Sequence, residues 1–327
     1  MRTLFLTHTD LDGIGPVILS KLFNLKISDE SYKFCNYDDL YDESDEKVIL
    51  KLDKHYYDRI FVVDLACNRA MLNFLRDHCD ILGIFDHHER TAEIANELEV
   101  RFDLDKSGTE LFFDSLSQNL DDVPEIWKMF AKIITVYDLW LTDNPLRSIS
   151  EDLNRLYYKA LDYRRKGTYA HYQFFIDSQV RKLLDKDIID YTFDDYEQGL
   201  IEKAKEKENK ELKMARNNMQ KRVDSKEHSY ILYHGSAKIS HVCAMLLKEE
   251  EDVDYVLNFN TYTGSTKKRI NGKISARSKE DFDVTDLHNI NGHKNAGAGI
   301  FNPIMLKRIW VNRGMHLKYK EDTIETI

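Results

Sequence analysis

Short apolar runs alternate with amphipathic stretches through the first half of the chain. Thr3–Thr7 predicts a buried strand, and residues 15–25 predict a helix with Pro16 in its first turn. Residues 59–64 predict a second strand, residues 68–78 a helix capped by Asn68, and residues 80–86 a third strand. This alternation predicts a mostly parallel sheet. Residues 107–179 have a helical pattern, beginning at Ser107-Gly108-Thr109-Glu110 and continuing through 124–139 and 148–163.

Residues 194–223 are densely charged, without Pro and with Gly199 only near the start. They predict one solvated helix of about 30 residues, on the order of 45 Å long. Beyond it a second alternation predicts strands at 230–233, 255–260 and 269–276. A helix is predicted at 239–248, with Ser236 or Ser240 near its start. Asn302-Pro303 would open a last helix, and the tail from Lys318 would be disordered. The pattern divides the chain into an α/β domain at 1–190, a helical linker at 191–228 and a smaller α/β domain at 229–327.

Composition narrows the possibilities. A chain of 327 residues, 42% hydrophobic and 32% charged, is long enough for two soluble domains with cores of their own. No apolar run approaches the roughly 20 residues of a membrane span, and the N-terminal stretch is too short for a secretory signal. Cys35, Cys67, Cys79 and Cys243 show no Cys-x-x-Cys pairing, as expected of thiols in a reducing compartment. A cytoplasmic protein without membrane contact is expected. The net charge of −10 argues against a general binder of long nucleic acid. Residues 229–327 hold 14 Lys and Arg against 12 Asp and Glu, leaving 33 against 45 in the preceding part. An acidic part able to gather cations thus precedes a mildly basic part able to gather an anion.

Candidate chemistry sits where the apolar runs end. His8-Thr9-Asp10-Leu11-Asp12-Gly13 follows the first, Asp64 the second, and Asp86-His87-His88 the third; Asp138 lies in a helical segment. Strand ends of an α/β sheet converge on one crevice. So many carboxylates and imidazoles there call for positive charge, and oxygen and imidazole donors without thiolates suit hard or borderline divalent ions. Two ions are expected rather than one. If extended, His8, Asp10 and Asp12 would point to one side; if curled, they would form a bowl.

In this order the motifs resemble the DHH phosphoesterase family, which includes RecJ-type exonucleases, nano-RNases, cyclic-dinucleotide phosphodiesterases and inorganic or exopolyphosphatases. Asn291-Gly292-His293 with Gly297 and Gly299 resembles the Gly-Gly-His motif of the DHH-associated domain. Ser275-Ala276-Arg277-Ser278 resembles its Ser-x-Arg-Ser strand. Asn291 stands where the family has its first glycine, and Asn tolerates positive φ better than most residues.

The resemblance implies that His8, Asp10 and Asp64 hold one ion and that Asp12, Asp64, His87 and Asp138 hold the other, with Asp64 bridging. Asp86 would orient a ligand, and His88 would touch the phosphate or leaving group, making these two the catalytic pair. Ser275, Arg277, Gly292 and His293 would bind substrate. The ions would be Mn²⁺, with Mg²⁺, Co²⁺ or Fe²⁺ as alternatives, and would activate a water. The expected activity is hydrolysis of short single-stranded RNA or DNA, or of a dinucleotide, to mononucleotides by a monomer or homodimer. The alternatives are an exopolyphosphatase or pyrophosphatase and a cyclic-dinucleotide phosphodiesterase.

Overall fold

The computed structural model describes residues 2–36, 39–41, 47–52, 56–165, 168–235, 239–263, 270–279, 281–301, 309 and 318–319. The chain divides into two compact units, Met1–Ile201 and Glu202–Ile327.

In the first unit β1 (Thr3–Thr7), β2 (Tyr32–Phe34), β3 (Tyr57–Val63), β4 (Cys79–Asp86) and β5 (Val100–Phe102) form a parallel sheet. Their order is β2-β1-β3-β4-β5. The edge strands β2 and β5 have three residues each, too few to leave a periodic signal. Side chains alternate between two cores. Phe5, Val63 and Phe85 pack with residues of α1 (Leu11–Leu22), α3 (Gly108–Ser117), α4 (Glu125–Asp138), α5 (Arg147–Ala160) and α6 (Tyr169–Leu183). Leu4, Leu6, Ile60, Val62 and Ile84 pack with Met71, Leu72 and Leu75 of α2 (Arg69–Arg76). Apolar runs buried on both faces are the pattern of a covered parallel sheet.

Local capping sets the helix starts. Asn68 caps α2 by accepting from Met71 N–H at 2.9 Å, and Ser107 caps α3 through Glu110 N–H at 3.3 Å. The first helix begins four residues before the expected position, because Asp10 caps it by accepting from Gly13 N–H at 3.0 Å. Pro16 therefore falls inside α1 rather than in its first turn. Pro16 cannot donate to the Asp12 carbonyl, which accepts instead from Thr109 Oγ1 at 2.8 Å.

The charged segment also differs from expectation. α7 (Asp195–Asn218) is followed by a strand, β6 (Gln220–Val223), instead of running on to residue 223. Ile201 lies in the core of the first unit, and Leu212 and Ala215 in a core of the second. The helix thus contributes to both units.

The second unit holds a six-stranded sheet in the order β10-β11-β9-β8-β7-β6. Its strands are β6, β7 (Ser229–His234), β8 (Tyr255–Thr263), β9 (Ile270–Ser278), β10 (Asn291–His293) and β11 (Ala296–Phe301). β7 and β8 pair in parallel, joined through α8 (Ile239–Glu249), and the other pairings are antiparallel. Val242, Cys243 and Leu246 of α8 cover one face, while Tyr230, Tyr255 and Phe282 stack on the other. Ser236 and Asn302-Pro303 lie outside the described residues. Tyr319, in the tail expected to be disordered, is buried and bridges to Leu287.

Candidate metal centre

Because the sheet is parallel, its carboxyl ends form one row. Thr7 is opposite Val63, and Val63 is opposite Phe85. The residues that follow, His8, Asp64 and Asp86, therefore emerge side by side. Asp64 turns sharply there at φ 56°, while its N–H still donates to Phe85 O at 2.9 Å. Asp10 and Asp12 curl over the row, one as the cap of α1 and one within its first turn. Asp138 arrives from the last turn of α4.

These residues fall into two groups that share Asp64. His8 Nδ1 lies 3.0 Å from Asp10 Oδ2 and 3.5 Å from Asp64 Oδ2. His87 Nε2 lies 3.5 Å from Asp64 Oδ1, 3.3 Å from Asp138 Oδ2 and 4.0 Å from Asp12 Oδ2. His8, Asp10 and Asp64 offer ligand atoms close enough to hold one ion, and Asp12, His87 and Asp138 do so for another. Asp64 turns a different oxygen to each.

Asp86 takes another role. Its buried carboxylate lies 2.8 Å from His88 Nδ1 and accepts from His88 N–H and from the Thr91 hydroxyl. It therefore positions His88, whose ring in turn groups with Asp64 and His87.

Electrostatics supports a cation here. Burial, and next Asp64, push the Asp12 carboxyl up to about 7. Burial and then Asp12 push Asp138 well above the usual carboxylate range. Burial opposes charge on His8 and His87, but Asp10 and Asp64 raise the first well above an ordinary histidine, and Asp138, Asp64 and Asp12 raise the second. Carboxylates crowded in this way are stabilised by a bound cation. Asp64 Oδ2 and Asp138 Oδ2 are buried and accept no hydrogen bond from any described residue, so the donor set fits oxygen-preferring divalent metal.

Four further residues support the site, of which the sequence reading placed only Gly13 in a site motif. Gly108 N–H and Thr109 N–H donate to the two Asp12 oxygens at 2.7 and 2.9 Å, placing that carboxylate at the amino end of α3. Gly108 is also required sterically, since a Cβ there would lie 2.9 Å from Asp64 Cβ. Gly13 is likewise required, its Cβ position being 2.2 Å from His8 O. Thr91 secures Asp86. Their only sequence signal is proximity to a cap or motif.

In the second unit the Gly-rich stretch is a hairpin of β10 and β11. Register sets Arg277 beside Ala296, and Ala296 beside His293; Ser275 lies beside Ala298, and Gly292 beside Gly297. Ser275 and Arg277, two apart on β9, share a face. Arg277 Nη1 donates to Ala276 O at 2.7 Å.

No protein-family model matches the chain, and no curated protein matches it. Solved structures do match. The DHH domain of a member of the s1p family of ribosomal proteins aligns over 97% of this chain and 87% of its own, at 12% identity and a TM-score of 0.55. RecJ from Thermus thermophilus, in complex with Mn²⁺, aligns over 95% of this chain and 51% of its own, at 14% identity and a TM-score of 0.48. An exonuclease RecJ bound to manganese aligns over 96% of this chain and 89% of its own, at 15% identity and a TM-score of 0.47. By the first of these likenesses, this chain has the fold of the DHH domain.

Proposed function

We propose that the chain is a DHH-type, metal-dependent phosphodiesterase that hydrolyses short oligonucleotides to mononucleotides. The observation that carries this reading is Asp64, one oxygen beside His8 and Asp10 and the other beside His87, Asp138 and Asp12. Such a donor set would hold two divalent ions, His8, Asp10 and Asp64 on one side and Asp12, Asp64, His87 and Asp138 on the other. When bound, the ions would acidify water and offset charge on a phosphoryl group. Asp86 holds the His88 ring toward the same centre, where its raised pKa suits it to donate a proton to a leaving oxygen. In the second unit Ser275, Arg277, Gly292 and His293 would form the substrate arm, with the Arg277 guanidinium suited to a phosphate.

The acidic balance of the part that carries the metal centre favours short substrates over long nucleic acid. Manganese is the proposed ion and the cytoplasm the proposed compartment. Incubation with Mn²⁺ and a panel of dinucleotide, 5-mer RNA, longer RNA, single-stranded DNA, cyclic di-AMP and polyphosphate tests the proposal. Dinucleotide and 5-mer should be cleaved fastest, and Asp64→Ala or His87→Ala should lower the rate at least about a hundredfold. Faster turnover of polyphosphate or cyclic di-AMP, or full activity in either variant, would overturn it. Arg277→Ala should raise KM for nucleotides and leave metal content, read by atomic absorption, unchanged.

A further inference from the structure

The ligand-bearing strand ends are those of β1, β3 and β4; among the described residues the edge strand β2 adds none. Beside the carboxyl end of β2 lies a cavity of about 670 Å³, a volume within the range of small-molecule sites. Its wall shares backbone with the metal centre. Thr9, between His8 and Asp10, lines the cavity and donates its hydroxyl to Asn36 Oδ1 at 3.0 Å. The Thr9 carbonyl accepts from the Tyr157 hydroxyl at 2.6 Å, and the next residue, Tyr158, lines the cavity. Cys35, also in the wall, donates its N–H to Thr7 O at 2.9 Å, so the wall lies about one strand spacing, roughly 5 Å, from β1.

The lining combines cations with aromatic surface. Lys33 Nζ donates to the Lys51 backbone carbonyl at 2.7 Å, and both lysines line the cavity. An ammonium has three donors, so Lys33 keeps capacity for an anion. The lining carboxylate, Asp39, is engaged by Asn36 N–H at 2.8 Å. Phe34 and Tyr172 pack with ring centroids 4.3 Å apart, and Tyr158 adds a third ring. Aromatic faces beside cations are the surface that single-stranded nucleotides use, base on ring and phosphate on ammonium.

We propose that this cavity holds the nucleotide adjoining the scissile phosphate, with its base against the Phe34 and Tyr158 rings and its own phosphate on Lys33 and Lys51. The assignment deepens the phosphodiesterase reading and rests on it. It makes a dinucleotide the minimal substrate and leaves polyphosphate, which has no base, without use for the aromatic wall.

Equilibrium dialysis of AMP against EDTA-treated protein tests the cavity apart from catalysis. AMP should bind. The double variant Lys33→Ala/Lys51→Ala and the single variant Tyr158→Ala should each weaken it about tenfold or more, with folding checked by thermal melting. Inorganic phosphate should compete poorly. Unchanged AMP affinity in both variants, or equal competition by phosphate, would overturn the proposal. Dinucleotide hydrolysis with Mn²⁺ is followed in parallel. Cavity-dependent AMP binding without hydrolysis would keep the cavity and sink the phosphodiesterase reading. Hydrolysis with unaltered KM in both variants would do the reverse.

Discussion

At the residue scale, the centre depends on a few backbone positions with little freedom. Asp64 occupies the left-handed region, where Asp is tolerated better than bulky residues. Its neighbour Gly108 leaves no room for a side chain: a Cβ would sit 3.0 Å from Asp64 N as well as 2.9 Å from Asp64 Cβ. Gly108→Ala should therefore displace Asp64, destabilise the protein by about 1–3 kcal/mol and weaken Mn²⁺ binding in calorimetric titration. A variant with wild-type Mn²⁺ affinity would detach Gly108 from the centre. The histidines and aspartates of the centre were legible because each follows an apolar run or a helix pattern. Gly108 was not, because a glycine after a serine cap looks like any helix start, and only folding shows that its N–H meets Asp12, 96 residues earlier.

At the element scale, tertiary partners decide what local pattern leaves open. Residues 194–223 read as one helix because charge and helix propensity continue through them. Yet Gln220–Val223 pairs with β7, and Arg222, nearly buried, donates to the Ile309 carbonyl at 2.7 Å. Trp140, by contrast, ends its helix by a local bond. It takes φ 59° after α4, and the Leu141 N–H to Val136 O bond at 3.0 Å closes the turn next to Asp138. A second case of tertiary partners is Asp224, which follows β6. Burial opposes its charge, but the hydroxyls of Tyr319 and Tyr255 and the amides of Lys226 and His228 hold its pKa below the usual value. A depressed pKa contributes stability above about pH 4 that is lost as pH falls through the lower folded value. Asp224→Asn should therefore melt earlier at pH 7, by the equivalent of about 1–3 kcal/mol, and the gap should narrow on acidification below about pH 4. A gap of constant size down to about pH 3 would contradict this account.

At the scale of the whole molecule, the division at Ile201 and Glu202 separates the proposed ion ligands from the proposed substrate arm. Divalent ion should therefore protect the first unit selectively. Saturation at about 100 times Kd stabilises the binding form by about 2.7 kcal/mol. In hydrogen exchange, Mn²⁺ should slow the segments around residues 8–13, 62–66, 85–91 and 135–140 and leave 229–263 unchanged. Equal protection of both units would refute this placement. The α/β alternation of each half was legible in the sequence, but the sharing of α7 between two cores was not, since its apolar positions are sparse in a charged run.

The reach of Asp12 across to Gly108 and Thr109 also bears on how the protein is made. Residues 96 and 97 apart must meet before the Asp12 carboxylate is held, and Asp138 comes later still. Contacts this distant form slowly, after local helices and hairpins. A chain emerging from the ribosome would thus complete its first five strands while still unable to hold the full ligand set. Of the two proposed ions, the one held by Asp12, His87 and Asp138 would then be captured late in the folding of the first unit, after the His8, Asp10 and Asp64 group is complete.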